Sequence, residues 1–430
     1  MAAPPLKVAV IGAGVGGLAT ARALKSVANH QIVVYEKSDR LGGTWVYDPR
    51  VESDPLGLDP NREIVHGSLY PSLCTNLPRQ LMGFRDYPFR TRKNVDDSYY
   101  RTFPKHEEVL QFLIEFADEF ELTELIRFGS EVTRVERVDS RCEDWVVESR
   151  SNGLSSEEVF DAVIVCNGHH TQPRLAHLQG IEKWPGKQLH SHNYRGPELF
   201  QDKIVVVIGD GPSGIDISIE ISAVAKQVYV SSRDPNITIS KLNHKDNIWQ
   251  HSKISCVHEN GEVEFIDGAS VFADIILHCT GFEYHMPFLK TDGIVCVDDN
   301  RVGPLYKHVF PPKLAPRLSF IGLTYRSLVV MTIDLQAKWV ANVLSGKQTL
   351  PSEEEMLADT ERHYKQMEAK GIPKHHTHRI GHEHFFEYLD WLATEAGYAK
   401  VDEETKLITK NYFNFVVENG FWRAKEWAIE

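Results

Sequence analysis

The sequence predicts an α/β protein of two Rossmann-like dinucleotide-binding domains, one inserted in the other. Three observations lead there. Val8–Glu36 runs from an apolar strand through Gly12-Ala13-Gly14-Val15-Gly16-Gly17 into an Ala/Leu-rich helix and a second strand, Gln31–Glu36. The same order returns after Ile204, around Gly209-Asp210-Gly211-Pro212-Ser213-Gly214, with a helix to about Val224 and a strand at Gln227–Val230. An apolar strand of the buried type closes each copy: Phe160–Cys166 after the first, and Ala273–Thr280, which returns the chain toward the first domain, after the second. The expected domains are 1–170 with 283–430, and 171–282 inserted between them.

Both turns match G-x-G-x-x-G. Gly12 makes the tight turn, Gly14 lets backbone approach a pyrophosphate, and Gly17 lets the helix pack on the strand. The helix N-terminus then offers unpaired N–H groups to phosphate. In the second copy Pro212 suits a first helical turn, where its missing N–H costs nothing. The two copies share a register, because Glu36 follows Gly17 at the offset at which Arg233 follows Gly214. A carboxylate there accepts hydrogen bonds from ribose hydroxyls but repels a 2′-phosphate, whereas Arg binds that phosphate. The first site therefore reads as FAD or NAD. The second reads as NADP, with Gly209, Gly211, Ser213, Gly214, Ser232 and Arg233 as candidate contacts.

The 430 residues are 42% hydrophobic and 25% charged, which is ordinary globular composition with room for a large core. A net charge of −13 argues against a nucleic-acid groove or an anionic membrane surface as partner. No apolar run reaches the length of a membrane span, Met1–Lys7 has no signal-peptide core, and Gly420–Glu430 is polar with scattered Trp. The six cysteines never form C-x-x-C, so they read as free thiols in a reducing compartment, and the protein as cytoplasmic.

Between these landmarks, Leu41-Gly42-Gly43-Thr44-Trp45 suggests backbone held close to a ligand, and 48–62, rich in Asp, Pro and Gly, a surface loop. Ser68–Gly83 has no clean period, as expected of a loop lining a site, and Asn76 is its most interesting polar group. Glu107–Phe120 is an amphipathic helix, and Val132–Val138 with Trp145–Glu148 alternate like a hairpin. A strand at Leu318–Gly322 precedes a helix from about Leu328 to Leu344 that carries Gln336 and Trp339. His375, His376, His378, His382 and His384 crowd a polar stretch, but their irregular spacing reads as a solvated segment, and no metal is expected. The remainder is helical and aromatic-rich.

The link between the two copies contains Trp184-Pro185-Gly186-Lys187-Gln188-Leu189-His190-Ser191-His192-Asn193-Tyr194. This W-x-G-x-x-x-H-x-x-x-Y resembles the fingerprint of the flavin-containing monooxygenase family, with Trp184 where that family has Phe. Gly43-Thr44-Trp45, Thr75-Asn76, Cys279-Thr280-Gly281-Phe282 and Leu335-Gln336-Ala337-Lys338-Trp339 resemble further motifs of the family. Glu52–Met82 is similar to its plant branch, which includes glucosinolate S-oxygenases and S-alkenylcysteine S-oxygenases.

The resemblance implies FAD and NADPH as cofactors, O2 and a small molecule as substrates, and oxygenation of a soft heteroatom, most readily a thioether sulfur, through a C4a-hydroperoxyflavin. It implies that FAD is bound by Gly12, Ala13, Gly14, Val15, Gly16, Gly17, Glu36, Gly43, Thr44, Trp45, Thr75, Asn76, Val132 and Gln336, with Asn76 the catalytic polar group. Rival readings are amine N-oxygenation, Baeyer–Villiger oxygenation of a ketone, a flavin reductase, and a nucleotide-sensing protein without catalysis. The fingerprint's ending in Tyr194-Arg195 rather than Trp favours heteroatom oxygenation over the Baeyer–Villiger reading.

Overall fold

The computed structural model describes residues 4–89, 102–139, 142–234, 237, 239–242, 246–381 and 384–427. By contacts the chain divides into two compact units: Met1–Val46 with Leu77–His169 and Tyr284–Asn411, and Tyr47–Asn76 with His170–Glu283 and Tyr412–Glu430.

In the first unit, Lys7–Ile11, an uninterrupted apolar run after its first residue, sits inside a parallel sheet. It is flanked by Gln31–Tyr35 on one side and Ala162–Val165 on the other, with Ile126–Arg127 and Leu318–Phe320 at the edges. Strands buried on both faces read as continuous apolar segments, which is why they were legible. The helices Val15–Val27 and Val329–Leu344 pack against each other. A three-stranded antiparallel sheet of Glu131–Arg137, Trp145–Ser151 and Leu154–Phe160 contributes Val135, Trp145, Val147 and Phe160 to the same core as Ala9, Val33 and Val163.

In the second unit, Ile204–Ile208 lies between Gln227–Ser231 and Ile275–His278, all parallel. The sheet continues to Ile248–His251 on one side and to the edge strand Lys187–His190 on the other. Between Ile248–His251 and Ile275–His278 the chain makes a small antiparallel sheet of Ile254–Val257, Glu262–Phe265 and Ser270–Phe272.

The contact division puts 47–76 and 412–430 with the second turn, whereas the sequence reading puts both with the first domain. Side chains explain the first of these. Buried Glu52 accepts from Arg62 Nε (2.6 Å) and lies 3.0 Å from His192 Nε2. Its own N–H donates to Asn193 Oδ1 (2.8 Å). Ser68 Oγ is 2.8 Å from His192 Nδ1, and Arg195 donates to the carbonyls of Asp48 and Gly67. Burial pushes the Glu52 carboxyl upward, but hydrogen bonds from His192 and Arg62 outweigh it and hold the group below the usual carboxylate value. In the second segment, Tyr412 Oη donates to the Asn76 carbonyl (2.6 Å) and Lys425 pairs with Asp216 (2.7 Å).

Candidate functional site

The first glycine turn follows the strand Lys7–Ile11. Gly12 has φ +103°, and a Cβ there would lie 2.7 Å from the Cys166 carbonyl oxygen. A Cβ on Gly17 would lie 1.8 Å from the Gly12 carbonyl oxygen, so only glycine lets this helix leave the strand so closely. Gly14 caps the helix N-terminus, and no side chain caps it with a hydrogen bond. Its first turn also holds no acidic residue, so its amides and partial positive charge suit an anion. The space beside Gly14 is used by the chain itself: a Cβ there would lie 3.4 Å from Gly43 Cα, and Gly42 N–H donates to the Ala13 carbonyl (3.0 Å). The G-G-T-W stretch thus packs directly on the turn, with Gly43–Trp45 forming a short 3-10 turn.

The second turn repeats the geometry. Gly209 has φ +104°, and its Cβ would lie 2.5 Å from the Cys279 carbonyl oxygen. A Cβ on Gly214 would lie 1.9 Å from the Gly209 oxygen. Gly211 differs from Gly14: a Cβ there would meet no protein atom within 4 Å. That open space lies at the uncapped N-terminus of Pro212–Ile221, beside the exposed Ser213, and fits a pyrophosphate cradle.

The two cysteine carbonyls are partners that the motif reading missed. A signal was present, since each closing strand ends Cys-x-Gly, as Cys166-Asn167-Gly168 and Cys279-Thr280-Gly281. Burial pushes both thiols up to about 12, so neither is a ready nucleophile.

The offset residues also diverge. Glu36 is buried at 8% exposure; its Oε2 accepts from Ala13 N–H (2.8 Å), and Oε1 accepts from the Ser38 N–H and Oγ (2.9 and 2.8 Å). A carboxylate offers about four acceptor positions, so one on Oε2 is left for a ribose hydroxyl. Arg233 is exposed, as expected of a phosphate contact. Ser232 is not: it is 1% exposed, its Oγ donates to Asp210 Oδ2 (2.6 Å) and accepts from Asp234 N–H (3.1 Å). Its hydroxyl orders the loop that presents Arg233.

The remaining candidates separate by unit. Val132 and Gln336 lie in the first, Thr75 and Asn76 in the second. Val132 packs against the sheet core. Gln336 is fully buried; its Oε1 accepts from Gly322 N–H (3.1 Å) and its Nε2 donates to Tyr388 Oη (3.0 Å), so it shapes the loop after Leu318–Phe320. Thr75 is buried and Asn76 exposed.

The fingerprint residues are packing residues of the second sheet's edge. Gly186 is needed because a Cβ would strike the Trp184 indole at 2.2 Å. Trp184 joins the core on one face of the sheet with Val206 and Ile276, and Tyr194 the core on the other with Val205 and Leu277. His190 ends the edge strand fully buried, paired with His278, and burial lowers it to about 3.

The histidine-rich stretch corrects one expectation. His378 is not solvated: it is 1% exposed, Nε2 accepts from Val302 N–H (3.1 Å), and Nδ1 lies 3.2 Å from His308 Nδ1. Burial lowers its pKa to about 3. His375 and His384 pair with Asp299 and Glu387, and His376 lies 2.9 Å from Tyr325 Oη. His382 lies outside the described residues.

Two glycine turns of one geometry, each heading a largely parallel sheet, define a protein of the two-dinucleotide class. Residues 5–252 and 235–409 match the flavin-binding monooxygenase-like family. An Arabidopsis thaliana protein, flavin-containing monooxygenase FMO GS-OX5, is 52% identical over 425 residues, covering 98% of this chain and 91% of its own. An S-allyl-L-cysteine S-oxygenase from Allium sativum has a TM-score of 0.93 at 49% identity, covering 97% of this chain and 95% of that one. Tmm from a Pelagibacter strain has a TM-score of 0.81 at 26% identity, covering 97% and 93%. The chain belongs to the flavin-binding monooxygenase-like family and is an enzyme of that kind. Among the described residues, no helix is long and apolar enough to cross a membrane.

Proposed function

We propose that this chain is an NADPH- and O2-dependent monooxygenase that oxygenates the thioether sulfur of a small natural product, with an S-alkenylcysteine as the substrate class. The likeness to the Allium sativum S-oxygenase along almost the whole chain carries the choice of sulfur. The two glycine turns support two nucleotides, and the exchange of buried Glu36 for exposed Arg233 supports NADPH at the second.

In this reading 1–170 with 283–430 serves FAD and 171–282 serves NADPH, and the compactness of 170–283 around the second turn supports the insertion. The reaction is NADPH-driven reduction of the flavin followed by delivery of one atom of O2 to sulfur, the other leaving as water. The chain's own residues bind and orient. The first amides of Val15–Val27 hold the FAD pyrophosphate, Glu36 Oε2 a ribose hydroxyl, and Gly43, Thr44 and Trp45 line the turn. Gln336 holds the Gly322 loop in shape. Gly211, Ser213 and Arg233 hold the phosphates of NADPH. The exposed Asn76, its carbonyl anchored by Tyr412, offers an amide to the reacting groups.

The test follows NADPH oxidation and sulfoxide formation in one assay with S-allyl-L-cysteine, a tertiary amine and a ketone. Sulfoxide formed in step with NADPH consumption is expected. Amine or ketone turnover without thioether turnover overturns the sulfur assignment. Asn76→Ala is expected to retain flavin while sulfoxide per NADPH falls; an unchanged ratio removes Asn76 from the chemistry.

A further inference from the structure

The hairpin of Ile254–Val257 and Glu262–Phe265 carries a cluster that the monooxygenase reading does not use. Cys256 is the cross-strand partner of Glu264, and His258 follows Cys256 by two residues just beyond the strand, with core-facing Val257 between them. All three therefore lie on the outer face, and a register shift between Ile254 and Cys256 lets Ile254 join the core instead. Cys256 Sγ lies 3.4 Å from His258 Nε2 and 3.3 Å from Glu264 Oε2, and His258 Nε2 lies 3.3 Å from the same oxygen. A tetrahedral zinc ion with ordinary Zn–S, Zn–N and Zn–O bonds separates its ligand atoms by roughly 3.3–3.6 Å. The three donor atoms already stand at that spacing.

The backbone beneath them is held. Ile254, Val257, Val263 and Phe265 are buried in the core on the hairpin's other face. His258 N–H donates to the Glu262 carbonyl (2.9 Å), Gly261 N–H to the His258 carbonyl (3.0 Å), and Glu262 N–H to Asn260 Oδ1 (3.0 Å), closing the turn. Gly261 takes the positive φ (+91°) that this turn requires. The side chains of His258 and Glu264 are 44% and 46% exposed, which leaves a fourth coordination position open to water.

We propose that Cys256, His258 and Glu264 form a divalent transition-metal site, best suited to zinc, with three protein ligands and an exchangeable fourth position. A thiol, an imidazole and a carboxylate are the borderline donor set that selects zinc over magnesium or calcium. The Cys256 thiol gives up its proton to solvent as the S–metal bond forms. Glu262, whose carboxylate accepts from Ser270 Oγ (2.6 Å), adds negative charge on the same hairpin.

The test uses the full-length flavoprotein after chelator treatment and desalting. Equilibrium dialysis against zinc chloride, with metal analysis, is expected to give about one ion per chain. Cobalt(II) chloride is expected to give tetrahedral ligand-field bands at wavelengths beyond the flavin absorption. Cys256→Ser and, separately, His258→Ala are expected to weaken uptake at least tenfold, whereas Cys296→Ser leaves it unchanged. Flavin content and melting temperature of each variant establish that it is folded. Absence of saturable uptake by the wild-type chain, or uptake unchanged by both Cys256→Ser and His258→Ala, overturns the proposal.

Discussion

The two glycine turns are the same object placed in different company. Their first glycines have φ of +103° and +104°, and their third glycines would put a Cβ 1.8 and 1.9 Å from the same carbonyl of the turn. They part at the middle glycine, where Gly14 faces Gly43 and Gly211 faces open space. They part again at the offset residue, buried Glu36 against exposed Arg233. The first and third glycines answer to the chain's own backbone, so every copy of the turn needs them. The middle glycine answers to whatever the rest of the fold sets beside it. Close approach to a pyrophosphate, expected of Gly14 from the motif, is better supported at Gly211.

The largest break in this comparison is expected at the third glycine. Gly17→Ala and Gly214→Ala each drive a Cβ into a backbone oxygen, and each is expected to cost about 4–5 kcal/mol locally. Gly17→Ala should purify without flavin. Gly214→Ala should keep its flavin and lose reduction by NADPH, followed as bleaching of the flavin absorbance. Normal NADPH reduction in Gly214→Ala breaks the assignment of the second turn.

Acid compares the two bodies next. His190 and His278 lie in the second unit with pKa values lowered to about 3 and about 4, and His378 lies in the first at about 3, all chiefly through burial. Each is neutral when folded, while the unfolded chain takes up a proton below about 6.5. Their contribution is therefore fully present above about pH 6.5 and is lost as pH falls toward the folded values. Each should cost up to about 1.4 kcal/mol per pH unit in that window. Denaturant midpoints at neutral and mildly acidic pH check this, and a midpoint that holds steady on acidification contradicts it.

Arg233→Ala sharpens the contrast at the offset position. The preference for NADPH over NADH should fall by about 1.5–3 kcal/mol, the range for a hydrogen bond to a charged group, read from the ratio of kcat/KM values. An unaltered ratio shows that Arg233 does not meet the 2′-phosphate. The smallest effect on folding is expected of Gly211→Ala, whose Cβ meets no protein atom and whose φ of −74° suits alanine. Stability should change by less than about 0.5 kcal/mol, while KM for NADPH rises.

Much of this was legible because it is local. Strands such as Ile204–Ile208 are apolar runs, turns are spelled by glycine, and the Glu36/Arg233 exchange is a matter of counting. What stayed hidden depends on partners distant in sequence. Glu52 sits in a stretch of Asp, Pro and Gly that reads as open loop, yet His192 and Arg62 bury it and tie 47–76 to the second turn's sheet. His378 stands among polar neighbours that read as solvated, yet the Val302 amide and His308 enclose it. Ser232 reads as a phosphate ligand, and its engagement with Asp210 is visible only in the folded loop. The fingerprint pointed to the family, but its physical content, Trp184 and Tyr194 gripping opposite faces of one sheet edge, needed the packing.

By itself the sequence determined that two nucleotide turns exist, where their helices begin, and which charge each presents at its offset position. Those properties depend chiefly on backbone sterics and residue type over a short stretch of chain. Only the tertiary structure decided which middle glycine faces open space, which hydroxyls and carboxylates are already engaged, and which body each loop joins. Those outcomes are set by long-range packing and hydrogen-bond competition, for which a linear pattern carries no signal.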